Sequence, residues 1–409
     1  MKLHLTGVKS TQIDSSIRIT GSKSESNRLL ILQALFPGIQ IENLSNSDDS
    51  AVMQKALARS SELIDIHHAG TAMRFLTAYF ACQDGREVIL TGSERMKQRP
   101  VQVLVEALNA IGAHVEYLED YGCPPLRIRG KLLTRSSVEL PADISSQYIS
   151  ALLLIAPSLP DGLKITLKGD ITSLPYIEMT LGLLNRVGIR TQMKDSVIEV
   201  FHTRELPAKN CVVESDWSSA SYYFSILALS VVGSRLGLKA YREDSLQGDR
   251  VLCELFRPLG VESKFEGDTL VLVKNALPNT DHLDLDLKEA PDLAQTLAVC
   301  CFGLGIGCDL KGLHTLKIKE TDRLEALKAE LTKLGARIRV TDRSLHLEGN
   351  AEMKAGVSIE TYNDHRMAMA FAPLALKKDL YIEDSEVVSK SYPGFWEDLS
   401  KLGFFMDKA

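Results

Sequence analysis

Six times along the chain a short stretch of small or polar residues gives way to an apolar run, then a turn and a short strand-like segment. The openings lie at residues 21–28, 67–71, 145–147, 216–220, 289–292 and 363–365. They lead into predicted helices over 21–32, 72–81, 148–156, 221–232, 293–304 and 366–376. Predicted strands follow at 39–44, 87–91, 163–168, 236–241, 308–311 and 380–383. Runs apolar on every side, too short or too broken by glycine to span a bilayer, belong inside a folded core.

The four middle openings are each followed by a second helix with a different pattern. In residues 323–334, Leu324, Leu327, Leu331 and Leu334 step by three and four and so share one face. Gly335 then supplies a stop, and 336–340 reads as a strand. The same plan recurs at 101–111 before Gly112, at 177–187 before Gly188, and at 252–259 before Gly260. A further short strand follows at 196–201, 270–273 or 344–347. The unit is β-α-β-α-β-β, roughly 70 residues long, with the first copy shortened and the last truncated. The expected fold is therefore α/β in two domains of three repeats each, spanning 21–214 and 215–409, with residues 1–20 left over as an extra strand. A length of 409 residues agrees with two cores better than one.

Composition narrows the class. Seven scattered cysteines, with no C-x-x-C pair and no metal-ligand spacing against the nine histidines, read as reduced thiols in an intracellular protein. Met1-Lys-Leu-His-Leu lacks the apolar core of a signal peptide, so a cytoplasmic location is expected. The net charge of −6 argues against a nucleic-acid partner, and no membrane partner is expected. A local cluster of cations can nonetheless bind an anion.

Such cations gather at the openings or the turns after them: Lys23, Arg28, Arg74, Arg99, Lys319, Arg323, Arg366 and Lys390. Gly21-Ser-Lys-Ser-Glu-Ser-Asn-Arg28 offers backbone N–H groups, hydroxyls and two charges at a helix start, without Walker A spacing. If symmetry relates the six units, six positive helix ends aimed at one cleft would hold a highly anionic ligand. The plainer reading is six unrelated N-caps, each stabilising by ~1 kcal/mol.

Seven segments, in order, carry a resemblance. They are Gly21–Arg28, Ala69-Gly-Thr-Ala-Met-Arg74, Arg95-Met-Lys-Gln-Arg-Pro100, Ser145-Ser-Gln147, Lys319-Glu-Thr-Asp-Arg323, Asp364-His-Arg-Met-Ala-Met369 and Lys390-Ser-Tyr-Pro393. Together they closely resemble the 5-enolpyruvylshikimate-3-phosphate synthases. The resemblance implies the enolpyruvyl transferase fold, with the active site in the interdomain cleft and residues 1–20 joining the second domain. It implies two small-molecule substrates, phosphoenolpyruvate and shikimate 3-phosphate, and a monomer that needs no metal or organic cofactor. It also implies closure of the domains when the first substrate binds.

The same resemblance assigns roles. Ser145, Ser146 and Ser173 would donate to the shikimate phosphate, with Gln147 alongside and Tyr176 against the ring. Ser24 and Arg28 would hold its carboxylate. Asp292 would accept from the 4- and 5-hydroxyls as candidate base, with Lys319 near that end. Lys23 would lie between the substrates and share in catalysis. Arg99, Arg323, Arg366 and Lys390 would clamp phosphoenolpyruvate, with His68, Gly70 and Gln147 beside them. Glu320 is the candidate acid at C3, and His365 a supporting polar residue.

Plainer readings stand beside these. A Lys-Glu-x-x-Arg run is commonly a solvated helix face with pairs worth ~0.3 kcal/mol. Asp292 after Pro291 could be a helix-start carboxylate, and His365 a structural hydrogen-bonder. Three departures also appear: His68 where the family has Asn, Phe75 where many members have Pro or Leu, and Leu316-Lys317 where some carry Asn-Trp-Arg. The first two bear on phosphoenolpyruvate affinity more than on reaction type, and the last on a shikimate contact at Thr315. Two other readings remain: a UDP-N-acetylglucosamine enolpyruvyl transferase, which generally has a cysteine on the loop at 90–100 where this chain has none, and a non-catalytic binder of anionic metabolites.

Overall fold

The computed structural model describes residues 1–7, 12–58 and 61–409. The chain divides into two compact units, a central one over Gly21–Val213 and a flanking one made of Met1–Thr20 with Glu214–Ala409.

In the central unit, the helices Lys23–Leu35, Gly70–Ala81 and Ser146–Ile155 pack on one another as its interior. Their apolar residues explain this placement: Leu29–Leu32, Phe75–Ala81 and Tyr148–Ile155 are buried on every side. Two four-stranded sheets share one plan. Leu63–Asp65 runs parallel to Glu87–Thr91, whose other edge pairs antiparallel with Leu126–Arg129 and then His114–Tyr117. Ser137–Pro141, Leu163–Lys168, Val197–Val200 and Thr191–Lys194 repeat that order and those directions. Most of these strands bury one face, as in Leu126–Arg129, where Leu126 and Ile128 point inward, whereas the edge strand Thr191–Lys194 buries none of its residues. The shortened first repeat keeps one parallel pair, Ile39–Glu42 with Lys209–Val212, which ties the two ends of the unit together.

The flanking unit has three sheets of the same plan. Asp14–Ile17 and Arg235–Lys239 form the parallel pair of the first, and His282–Asp286 and Gly307–Lys311 that of the second. The third is completed differently. Val357–Ile359 runs parallel to Leu380–Ile382, and Leu3–Thr6 then inserts antiparallel between Leu380–Ile382 and Phe405–Lys408. Residues 1–20 therefore give two strands to two sheets rather than one extra strand, and they complete the repeat that reads as truncated.

Gly188 and Gly335 stop their helices at φ 101° and 107°, the left-handed region where a side chain is disfavoured. The helix expected over 252–259 is shorter, a 3-10 turn Gly248–Val251 leading into Leu252–Leu255. The run at 366–376 likewise divides into the helix His365–Phe371 and a 3-10 turn Ala372–Leu376. A helix at Asp48–Ala58 was not expected. Only two of its apolar residues, Met53 and Ala56, are buried, and Asp49 and Ser50 accompany them inward.

Candidate active site

Within the central unit three of the openings come together. The Ser22 hydroxyl accepts from the Glu25 N–H at 3.4 Å and starts the first helix. Lys23 follows, its ammonium 3.4 Å from the buried Asp49 carboxylate. Arg28 folds back over the helix start: Nη1 donates to the Ser24 carbonyl at 2.9 Å and Nε to Thr180 Oγ1 at 2.8 Å. Its Nη2 donates to Ser150 Oγ at 3.1 Å and to the Tyr176 carbonyl at 3.3 Å. Each of these four acceptors is neutral. Burial pushes the guanidinium down to about 10, with Tyr176 and Glu25 acting the other way. A buried cation held by dipoles favours an incoming anion. The Phe75 ring centre lies 5.3 Å from that guanidinium carbon, so the residue that departs from the family pattern packs against Arg28.

The second opening sits beside an arginine. A β-carbon built on Gly70 would stand 2.6 Å from Arg99 Nη1, so the absence of a side chain lets the guanidinium rest on the helix start. Arg99 Nε is buried with no hydrogen-bond partner among the described residues. Arg74, one turn along, donates to the Gly70 and Pro100 carbonyls at 3.0 Å each and fixes the segment that carries Arg99. His68 is exposed, with Nδ1 2.8 Å from Ser93 Oγ. At the third opening Ser145 Oγ accepts from the Gln147 N–H at 3.4 Å, and Gln147 Nε2 donates to Thr71 Oγ1 at 3.4 Å. Ser146 is buried. Ser173, at φ 54°, is a buried non-glycine residue in the left-handed region, and its hydroxyl does not cap the helix Leu174–Val187 that it precedes.

The other candidates meet inside the flanking unit, in one buried ionic network. Arg323 Nε donates to Asp364 Oδ2 at 2.7 Å, Nη1 to Asp292 Oδ1 at 2.9 Å and Nη2 to Glu320 Oε2 at 3.0 Å. Arg366 Nη2 donates to Asp292 Oδ2 at 3.0 Å, and Lys319 Nζ lies 3.5 Å from Asp292 Oδ1. Lys390 Nζ donates to Glu320 Oε1 at 2.6 Å. His365 is buried, its Nδ1 3.7 Å from Asp364 Oδ1. Asp322 and Asp364 cap the helices that begin with Arg323 and His365, which fixes where those cations point.

Electrostatics follow from this crowding. Burial alone would raise the Asp292 carboxyl, but Arg366, Lys319 and Arg323 outweigh it and hold it well below the usual carboxylate range. Burial lowers the Lys319 ammonium more than the neighbouring carboxylates restore it. For Arg323 burial also acts downward, yet Asp364, Glu320 and Asp292 together hold it above the ordinary arginine value. The arrangement keeps one ionised acceptor, Asp292, and a second carboxylate, Glu320, in a field of four cations.

Beyond the hydroxyls already described, four further partners lie outside the sequence assignments. Asp49 pairs with Lys23, Asp364 with Arg323, Ser218 with Arg366 at 3.3 Å, and Asp249 with Ser218. Ser218 and Asp364 fall inside recognised openings, which was a usable signal. Asp49 and Asp249 belong to no motif.

Residues 55–399 match the family model of EPSP synthase (3-phosphoshikimate 1-carboxyvinyltransferase). Two relatives named 3-phosphoshikimate 1-carboxyvinyltransferase, from Bacteroides fragilis strains YCH46 and ATCC 25285, are 46% identical over 398 residues and 47% over 402. In both cases 96% of each chain is covered. One of the same name from Mannheimia haemolytica is 35% identical over 98% of this chain and 99% of its own. Among solved structures, EPSP synthase from Acinetobacter baumannii is similar at a TM-score of 0.78, with 20% identity and all of both chains covered. The enolpyruvyl transferase NikO from Streptomyces tendae reaches 0.74 at 14% identity, over 99% of this chain and 98% of its own. These structures share the fold, and the sequence relatives with the family model add the kinship: the chain belongs to the EPSP synthase family.

Proposed function

We propose that the protein transfers the enolpyruvyl group of phosphoenolpyruvate to the 5-hydroxyl of shikimate 3-phosphate, releasing phosphate, in the shikimate pathway of aromatic amino acid biosynthesis. The 5-oxygen attacks C2 of phosphoenolpyruvate and gives up its proton while C3 gains one, forming a tetrahedral adduct. Loss of a C3 proton with expulsion of phosphate from C2 then leaves the enol ether. The observation that carries this reading is the network around Asp292 and Glu320, in which two carboxylates are ordered by Lys319, Arg323, Arg366 and Lys390.

Asp292 is the acceptor and base for the 5-hydroxyl; its low pKa keeps it ionised at neutral pH. Glu320 serves C3. Arg323, Arg366 and Lys390, with Arg99, Gly70, His68, Gln147 and His365, receive phosphoenolpyruvate, whose charges displace the resident carboxylate contacts. Ser145, Ser146, Gln147, Ser173 and Tyr176 receive the shikimate ring and phosphate, Ser24 and Arg28 its carboxylate, and Lys23 lies toward both substrates. Lys319 serves the hydroxyl end.

Every cysteine is a free thiol, which supports a reducing, cytoplasmic setting, and the reading takes a monomer as the working species. Among the described residues no helix is long and apolar enough to cross a membrane. The test is phosphate release from phosphoenolpyruvate with either of two acceptors, shikimate 3-phosphate or UDP-N-acetylglucosamine, or with none. Release with shikimate 3-phosphate alone is expected. Release with the nucleotide sugar alone would move the chain to the sister activity, and no release with either would leave a binding protein.

A further inference from the structure

We propose that Ser218 and Asp249 form a positioning pair that holds Arg366 for phosphoenolpyruvate. The inference rests on the placing of Arg366 at that substrate. Ser218 is the second residue of the helix Trp217–Leu229, and Asp249 lies in the 3-10 turn Gly248–Val251. The Ser218 hydroxyl donates to Asp249 Oδ2, and Arg366 Nη2 donates to Ser218 Oγ at 3.3 Å.

A hydroxyl has one proton to give. Spent on an ionised Asp249, it leaves the Ser218 lone pairs facing the guanidinium, so the carboxylate sets the direction of the whole chain of bonds. Arg366 also donates to Asp292, to its carbonyl at 3.3 Å and to its carboxylate at 3.0 Å. Asp292 must turn toward the acceptor hydroxyl during the reaction. Ser218 is a partner that Arg366 retains when it does.

Asp249 is itself placed by a buried lattice of bonds. Gln247 Oε1 accepts from the Trp217 N–H at 3.0 Å, and Gln247 Nε2 donates to the Ser215 carbonyl at 2.9 Å. Glu214 accepts from Trp217 Nε1 at 2.8 Å, from the Arg242 N–H at 2.8 Å and from Ser245 Oγ at 2.5 Å. Together they pin the turn carrying Asp249 to the helix start carrying Ser218. The charged groups facing Asp249 are Asp292, Arg366 and Asp216. Burial, then Asp292, push its carboxyl up to about 6.

The test is steady-state kinetics of the full chain with both substrates. Ser218→Ala and Asp249→Asn are each expected to raise KM for phosphoenolpyruvate about tenfold, the weight of one hydrogen bond to a charged group. Turnover and KM for shikimate 3-phosphate should stay within about threefold. Ser218→Thr keeps the hydroxyl and should restore KM. In wild type, kcat/KM for phosphoenolpyruvate should show an acid-side loss near pH 6 that Ser218→Ala lacks. Adding Ser218→Ala to Arg366→Gln should change nothing further, since the pair acts through Arg366.

An unchanged KM in both single variants would overturn the proposal, as would equal losses in Ser218→Thr and Ser218→Ala or a parallel rise in both KM values. If Arg366→Gln itself leaves KM for phosphoenolpyruvate unchanged, the placing of Arg366 falls, and this inference with it. If that variant raises KM while the pair does not, only this inference falls.

Discussion

Asp292 and Glu320 both sit among cations, yet the reaction asks different things of them. Asp292 has to accept a proton from an alcohol, and Glu320 has to exchange one with C3. Replacing Asp292 by Ala or Glu320 by Gln is expected to lower turnover by about 10² to 10⁴, the range for a positioned acid or base. Shikimate 3-phosphate binding, measured by calorimetry, should persist. Binding lost in proportion to turnover would make the two carboxylates positioning groups only.

Asp249 gives a pH-dependent counterpart. Its folded pKa of about 6 lies above the ordinary 3.8, so its contribution to stability is full below 3.8 and is lost as pH rises through about 6. Asp249→Asn should therefore be more stable than wild type at pH 7, by on the order of 2–3 kcal/mol, with the gap closing toward pH 4. Urea midpoints across that range check this, and a gap independent of pH would contradict it.

At the scale of elements, the helix starts do the positioning. Gly70 begins its helix without a side chain, and Arg99 rests in the space left. Gly70→Ala should push the guanidinium aside and raise KM for phosphoenolpyruvate at least several-fold, with KM for shikimate 3-phosphate little changed. A clash is relieved cheaply only if Arg99 can swing without losing its anion, in which case KM would not move.

These starts were legible in the sequence because the cue is local: small or polar letters before an apolar run. Arg323 and Arg366 were assigned to one substrate from their motifs, and the structure sets both against Asp292. Pairings between distant segments were less legible. Asp49 beneath Lys23 and Asp249 beneath Ser218 arise from packing that no spacing records. The helix Asp48–Ala58 is hard to read from sequence for a related reason. It turns Asp49 and Ser50 inward beside Met53 and Ala56, so its buried face carries too few apolar residues to announce a period. The last sheet read as truncated because its remaining strand, Leu3–Thr6, comes from the opposite end of the chain.

At the scale of the whole molecule, the candidate chemistry divides by unit. The central unit, Gly21–Val213, is one continuous segment with its own core, and its ends are joined by the pairing of Ile39–Glu42 with Lys209–Val212. Every side chain and carbonyl that holds Arg28 lies within it. Residues 21–213 expressed alone should therefore fold and bind shikimate 3-phosphate, while releasing no phosphate from phosphoenolpyruvate, because Asp292, Glu320, Arg323 and Arg366 lie in the flanking unit. An isolated segment that folds but fails to bind would move the acceptor site out of the central unit.

The central claim is an addition–elimination reaction that gains and then loses a proton at C3. A single turnover of the full chain with phosphoenolpyruvate and shikimate 3-phosphate in deuterium oxide, read by NMR of the product, tests it directly. The account predicts the 5-enolpyruvyl ether with deuterium in its vinyl methylene group, released together with phosphate. Phosphate released with no deuterium in that group, or a product enolpyruvylated at another oxygen, would contradict it.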